Sequence, residues 1–184
     1  MKFSRLIAAG VAAAGLTFAS AANAAVLVAA GPPDANMTAA NTLLSSNGAD
    51  LRFTFVSKDA GFTSFLSLVF GGQMIFDNNV AVGTSVVANG PMSGAEILMS
   101  ILTGPVSAPN TWFSGAASNN ADGFVHATIT AIGGGVFRVA FEDLSLPAGP
   151  GRPGEPDYND FVFDVQEIPV PGAALLLLSG IAGL

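Results

Sequence analysis

The chain contains no cysteine, so no disulfide staples it, and thiol catalysis and thiolate metal sites are excluded. Histidine occurs once, at His126, which leaves zinc without a second imidazole ligand. Basic residues are scarce: Lys and Arg together number 6 in 184 residues. Nothing in such a chain would neutralise a phosphate backbone, so nucleic acid and anionic membrane surfaces are poor partners. Neither G-x-S-x-G nor H-E-x-x-H occurs, and no acidic stretch has the EF-hand spacing. The glycine pair in "FGGQ" at 70–73 precedes no helical pattern and is not a phosphate loop.

The apolar content is concentrated at the two ends. Residues 1–24 begin with Lys2 and Arg5, continue as an alanine-rich apolar stretch from Leu6, and close on Ala22-Asn23-Ala24. This is the pattern of a secretory signal peptide with a small-residue cleavage site at Ala22 and Ala24; an uncleaved anchor is the alternative. Without it, four bases (Arg52, Lys58, Arg138, Arg152) face thirteen acids, a net of −9. The body, residues 25–167, has about 145 residues, enough for one ordinary core and not for two domains.

That body reads as strands. Leu51, Phe53 and Phe55 alternate with Arg52, Thr54, Val56 and Lys58; Leu66, Leu68 and Phe70 share one face of the next run. In "FVHATITAI", Val125, Ala127, Ile129 and Ala131 lie on one side, with His126, Thr128 and Thr130 on the polar side. After the glycine turn at 133–135, Phe137, Val139 and Phe141 point inward while Arg138 and Glu142 point out, which makes 124–143 a hairpin. The last strand sets Phe161, Phe163 and Val165 inward, with Val162 and Asp164 outward. "MTAANTLL" at 37–44 is a candidate short helix, and "AEILMSIL" at 95–102 fits either a buried strand or a helix. Short strands separated by Gly, Pro, Asn and Ser predict an all-β fold, a jelly-roll-like antiparallel sandwich.

Seven of the thirteen acids fall between Glu142 and Glu167, on both sides of the loop "AGPGRPGEP" at 148–156. If the strands flanking that loop pair, Glu142, Asp143, Asp157, Asn159 and Asp160 meet at one end of the sheet. Carboxylates plus an amide carbonyl are the ligands of a hard cation such as Ca²⁺, which takes six to eight oxygens. The other reading of the same residues is turn chemistry, with Asx side chains bonding nearby backbone N–H groups. "VFRVAFEDL" followed by "DYNDFVFDV" resembles the closing hairpin of the bacterial family called domain of unknown function 4114. That resemblance covers about the last forty residues of the body and implies a secreted β-sandwich module without an established enzymatic activity.

The C-terminal run from Gly172 to Leu184 is apolar but 13 residues long, and a bilayer span needs about 20. Together with Pro169-Val170-Pro171-Gly172-Ala173 it resembles the PEP-CTERM class of bacterial sorting tails, in the manner of their V-P-x-P-A variants. Val170 stands where that class usually has Glu, and its basic cluster would follow Leu184 if the reading frame continues. The resemblance implies that residues 168–184 form an apolar helix that holds the protein in the inner membrane until an exosortase-type enzyme cleaves near the motif. The exported body would then act as a non-enzymatic surface or matrix component, with exopolysaccharide as its partner. Two rivals follow from single features. Trp112 or Tyr158 could offer a sugar-stacking platform for a carbohydrate-binding module, and Glu142 with Asp160 could serve a hydrolase.

Overall fold

Leu51, Phe53 and Phe55 are buried while Arg52 faces solvent, the period of two expected of a strand with one face on a core. The computed structural model describes residues 26–27, 42–145 and 157–168, all within a single unit spanning 22–170. Eleven strands occur among them: β1 (Val26–Leu27), β2 (Leu43–Leu44), β3 (Leu51–Ser57), β4 (Phe65–Leu68), β5 (Gln73–Asp77), β6 (Ser85–Ala88), β7 (Met99–Thr103), β8 (Asn110–Phe113), β9 (Ala127–Gly133), β10 (Val136–Phe141) and β11 (Phe161–Glu167). One sheet runs β6-β3-β11-β10-β9, a second runs β5-β4-β7-β8, and β1 pairs with β2. Every pairing is antiparallel. The expected all-β antiparallel sandwich is the fold of the body.

The two sheets meet through phenylalanine. Phe76 of β5 reaches across to Phe55, Phe161 and Phe163 of the five-stranded sheet, at ring-centroid distances of 6.1, 6.0 and 6.4 Å. Phe163 also packs against Phe53, Phe141 and Phe161. Such tilted and edge-on pairs each contribute about 0.5–1.5 kcal/mol beyond their area burial. The outer face of the five-stranded sheet mixes polar and aliphatic side chains, among them Arg52, Thr54, Val87 and Ile132. There Arg138 and Asp164, directly opposite each other on β10 and β11, form a two-pronged pair at 2.9 and 3.1 Å. The predicted hairpin is present as β9 and β10, and its turn requires glycine, because Gly133, Gly134 and Gly135 all take positive φ (98°, 62° and 74°).

Several local expectations fail for local reasons. Phe70 does not continue the inward face of β4: the chain leaves the strand for a 3₁₀ turn at Phe70–Gly72, and the ring is 48% exposed. Val162, expected outward, is buried at 8% exposure. A register shift between Val162 and Phe163 in the pairing with β3 interrupts the simple alternation there. The ambiguous run 95–102 resolves as extended chain leading into β7. Of the candidate helix at 37–44, the described leucines, Leu43 and Leu44, are extended in β2. The signal peptide, the loop 148–156 and the C-terminal tail lie outside the described residues, as do Ala22, Ala24 and the motif Pro169–Ala173.

Two substitutions test where the core lies. Phe163→Ala removes a ring that bridges both sheets and is expected to lower unfolding stability by about 3–5 kcal/mol, whereas Phe70→Ala should stay within about 0.5 kcal/mol. Urea unfolding midpoints of the two variants distinguish these outcomes.

Candidate functional site

β10 ends at Phe141, whose partner across the sheet is Phe161, the first residue of β11. The pairing therefore delivers Glu142 and Asp143 to one end of the sheet beside Asp160, as expected from the two acidic clusters. One oxygen from each of these three carboxylates lies within 4.8 Å of the other two. All three are buried, with Glu142 1%, Asp143 3% and Asp160 9% exposed. Asp157 is not among the three converging carboxylates. It is exposed and accepts from the Asn159 side-chain amide at 2.6 Å.

Asp143 joins the sheets. Its backbone N–H donates to Asp160 Oδ2 (2.9 Å), and its carbonyl accepts from Trp112 Nε1 (2.9 Å). Its Oδ2 accepts from Ser64 Oγ and Thr103 Oγ1, both at 3.2 Å. Ser64 immediately precedes β4, and Thr103 and Trp112 belong to β7 and β8, so every one of these three donors comes from the four-stranded side. The Asp143 carboxyl is pushed above its ordinary range by burial first, then by the Asp160 charge.

Glu142 corrects the sequence reading: expected to point into solvent, it is enclosed. Period-two alternation stops applying once β10 ends, and Glu142 instead hydrogen-bonds through its backbone N–H to the His126 carbonyl (2.9 Å). Its Oε1 accepts a long 3.4 Å bond from the Leu144 N–H, while Oε2 has no hydrogen-bond donor at all. The carboxyl that faces Glu142 is Asp160, which can bond it only if one of the two holds a proton. Burial, then the charge of Asp160, pushes Glu142 up to about 8; burial likewise raises Asp160. Tyr158 is the non-glycine described residue with left-handed backbone (φ 51°), and its hydroxyl donates to the Val125 carbonyl at 2.9 Å. Desolvation, followed by the Glu142 charge, pushes that phenol up to about 12.

His126, placed on the polar side of its strand by alternation, is instead fully buried. It precedes β9 and lies flat on Trp112, with ring centroids 3.9 Å apart and planes 3° from parallel. Nδ1 meets the Glu142 carbonyl (3.0 Å) and Nε2 meets Asp122 Oδ2 (2.9 Å), so both ring nitrogens are engaged. Trp112 is 3% exposed and therefore offers no sugar-stacking platform; it belongs to the core. Sequence reasoning missed Glu167, a fourth buried acid whose carboxylate accepts from Ser45 Oγ (2.7 Å), the Ser46 N–H (2.9 Å) and the Ser46 hydroxyl. The signal was available in parity, since Glu167 shares the inward register of Phe161, Phe163 and Val165. Ser64, Thr103 and Asp122 were also missed, and no motif marks them.

The raised carboxyls set a pH dependence for the metal-free protein. Glu142 holds its proton more tightly folded than unfolded, so its contribution is complete below its ordinary value of 4.5 and is lost as pH rises through about 8. Unfolding stability in chelator should fall on the order of a few kcal/mol between those limits, and Glu142→Gln should flatten the slope. Denaturant titrations across that range measure both. The chain matches no family model, no curated protein and no solved structure.

Proposed function

We propose that this protein is an exported, non-catalytic component of the cell surface or extracellular matrix. The observation that carries this reading is the internal engagement of its chemically versatile side chains. The single histidine and single tryptophan are buried and bonded within the seam between the sheets, as are the hydroxyls of Ser64 and Thr103. A hydrolase built on Glu142 and Asp160 would need them to face substrate, and both are enclosed. A carbohydrate module built on Trp112 would need that ring exposed. What such a domain supplies is a rigid, acidic, disulfide-free body.

Export and sorting rest on the two ends of the sequence. The N-terminal 24 residues carry the export signal, and the resemblance of 168–184 to a sorting tail supports transient anchoring in the inner membrane followed by exosortase-type cleavage. Exopolysaccharide outside the cell is the proposed partner of the released body.

Expression of the full-length gene in hosts with and without an exosortase tests the reading. Accumulation in the inner-membrane fraction without the enzyme, and surface or medium localisation with it, is expected. The same distribution in both hosts would remove the sorting proposal.

A further inference from the structure

We propose that Glu142, Asp143 and Asp160 form a binding site for one hard divalent cation of the Ca²⁺ class, which ties the two sheets together at the end of the sandwich. Two observations carry it. The three carboxylates each place an oxygen within 4.8 Å of the others, a span that metal–oxygen bonds of about 2.3–2.6 Å bridge. Independently, Oε2 of Glu142 is without a hydrogen-bond donor although the residue is 1% exposed. A buried carboxylate oxygen without a donor, on a residue whose carboxyl group converges with two others, is costly as it stands and is satisfied by a cation.

The ligand chemistry selects the class of ion. Every donor in the cluster is a carboxylate oxygen, and the nearby imidazole of His126 has both nitrogens engaged elsewhere, so the soft and borderline transition metals lack the ligands they favour. A flexible shell completed by water or backbone carbonyls suits Ca²⁺, whereas Mg²⁺ demands near-ideal octahedral geometry and dehydrates reluctantly. Asp157 is not among the three converging carboxylates, and Asp143 is held in place by Ser64 and Thr103. A cation here would connect the end of β10 to the start of β11 directly. Through the Asp143 hydrogen bonds it would also fix both to the four-stranded sheet. The inference stands independently of where the protein is localised.

Trp112 provides the readout, because its indole N–H is bonded to the Asp143 carbonyl and it is the only tryptophan. The full-length chain, purified in mild detergent and stripped with chelator, is titrated with Tb³⁺ as a Ca²⁺ surrogate while the tryptophan is excited. Sensitised terbium emission that saturates at one ion per chain and is displaced by Ca²⁺ but not by equimolar Mg²⁺ is expected. At a 100-fold excess over Kd, Ca²⁺ should raise the melting temperature by roughly 5–10 °C. Glu142→Gln should lose at least about ten-fold in affinity, and Asp157→Asn should retain both responses. If Glu142→Gln does not fold, Asp160→Asn serves as the second variant. Absence of both emission and melting shift in the wild-type chain would overturn the proposal. So would undiminished binding by a folded Glu142→Gln or Asp160→Asn variant, or displacement by Mg²⁺ as effective as that by Ca²⁺.

Discussion

Asp143 is held between the sheets by four hydrogen bonds, and the way the sandwich closes follows from them. A buried carboxylate without partners would be prohibitively costly, so the positions of its donors are constrained rather than incidental. Ser64 must reach it from the start of β4, Thr103 from the end of β7 and Trp112 from β8. Those three strands are thereby fixed in register against β10 at one end, while the phenylalanine cluster joins the sheets elsewhere through Phe76 of β5. Hydrophobic burial supplies most of the stabilisation but is tolerant of small slides. The directional bonds to Asp143 remove that tolerance.

The same corner carries an electrostatic strain that, among the described residues, the Ser64 and Thr103 hydroxyls on Asp143 ease only in part. Among the described residues, the basic side chain in an ion pair is Arg138, and it is engaged with Asp164 on the opposite, solvent-facing side of the sheet. Near the corner, His126 Nε2 meets Asp122 Oδ2, an acid outside the cluster. Glu167 shows the contrasting solution. Its two oxygens are fully supplied by Ser45 and Ser46, so a buried acid at the far end of β11 is satisfied by local donors alone. Two buried acidic sites in one domain thus follow different logics, one closed by neighbouring hydroxyls and N–H groups, the other left with an open oxygen.

How much of this the sequence disclosed depends on whether periodicity still applied. Within strands it did apart from Val162: Leu51, Phe53 and Phe55 of β3, Phe137, Val139 and Phe141 of β10, and Phe161, Phe163 and Val165 of β11 all lie on the face that alternation assigns. The glycine turn and the meeting of the two acidic clusters were legible because both depend only on hairpin register. Legibility stopped at strand ends. Glu142 and His126 sit just beyond β10 and just before β9, where backbone direction is set by turns and by the partner sheet, so the alternation that placed them in solvent no longer held. The donors from Ser64 and Thr103 were invisible for another reason: 79 and 40 residues separate them from Asp143, and no local pattern encodes such a contact.

The strand order has a kinetic consequence. β3 lies between β6 and β11, so its partner on one side is the last strand of the body, over a hundred residues further along the chain. β10 likewise needs β11 to connect it to β3. As the chain is made from its N-terminus, the five-stranded sheet cannot assemble until Phe161–Glu167 has emerged, and closing so long a loop is entropically slow. Early folding of that sheet is thereby disfavoured by topology itself. The centre of this sheet is therefore the part of the domain completed last.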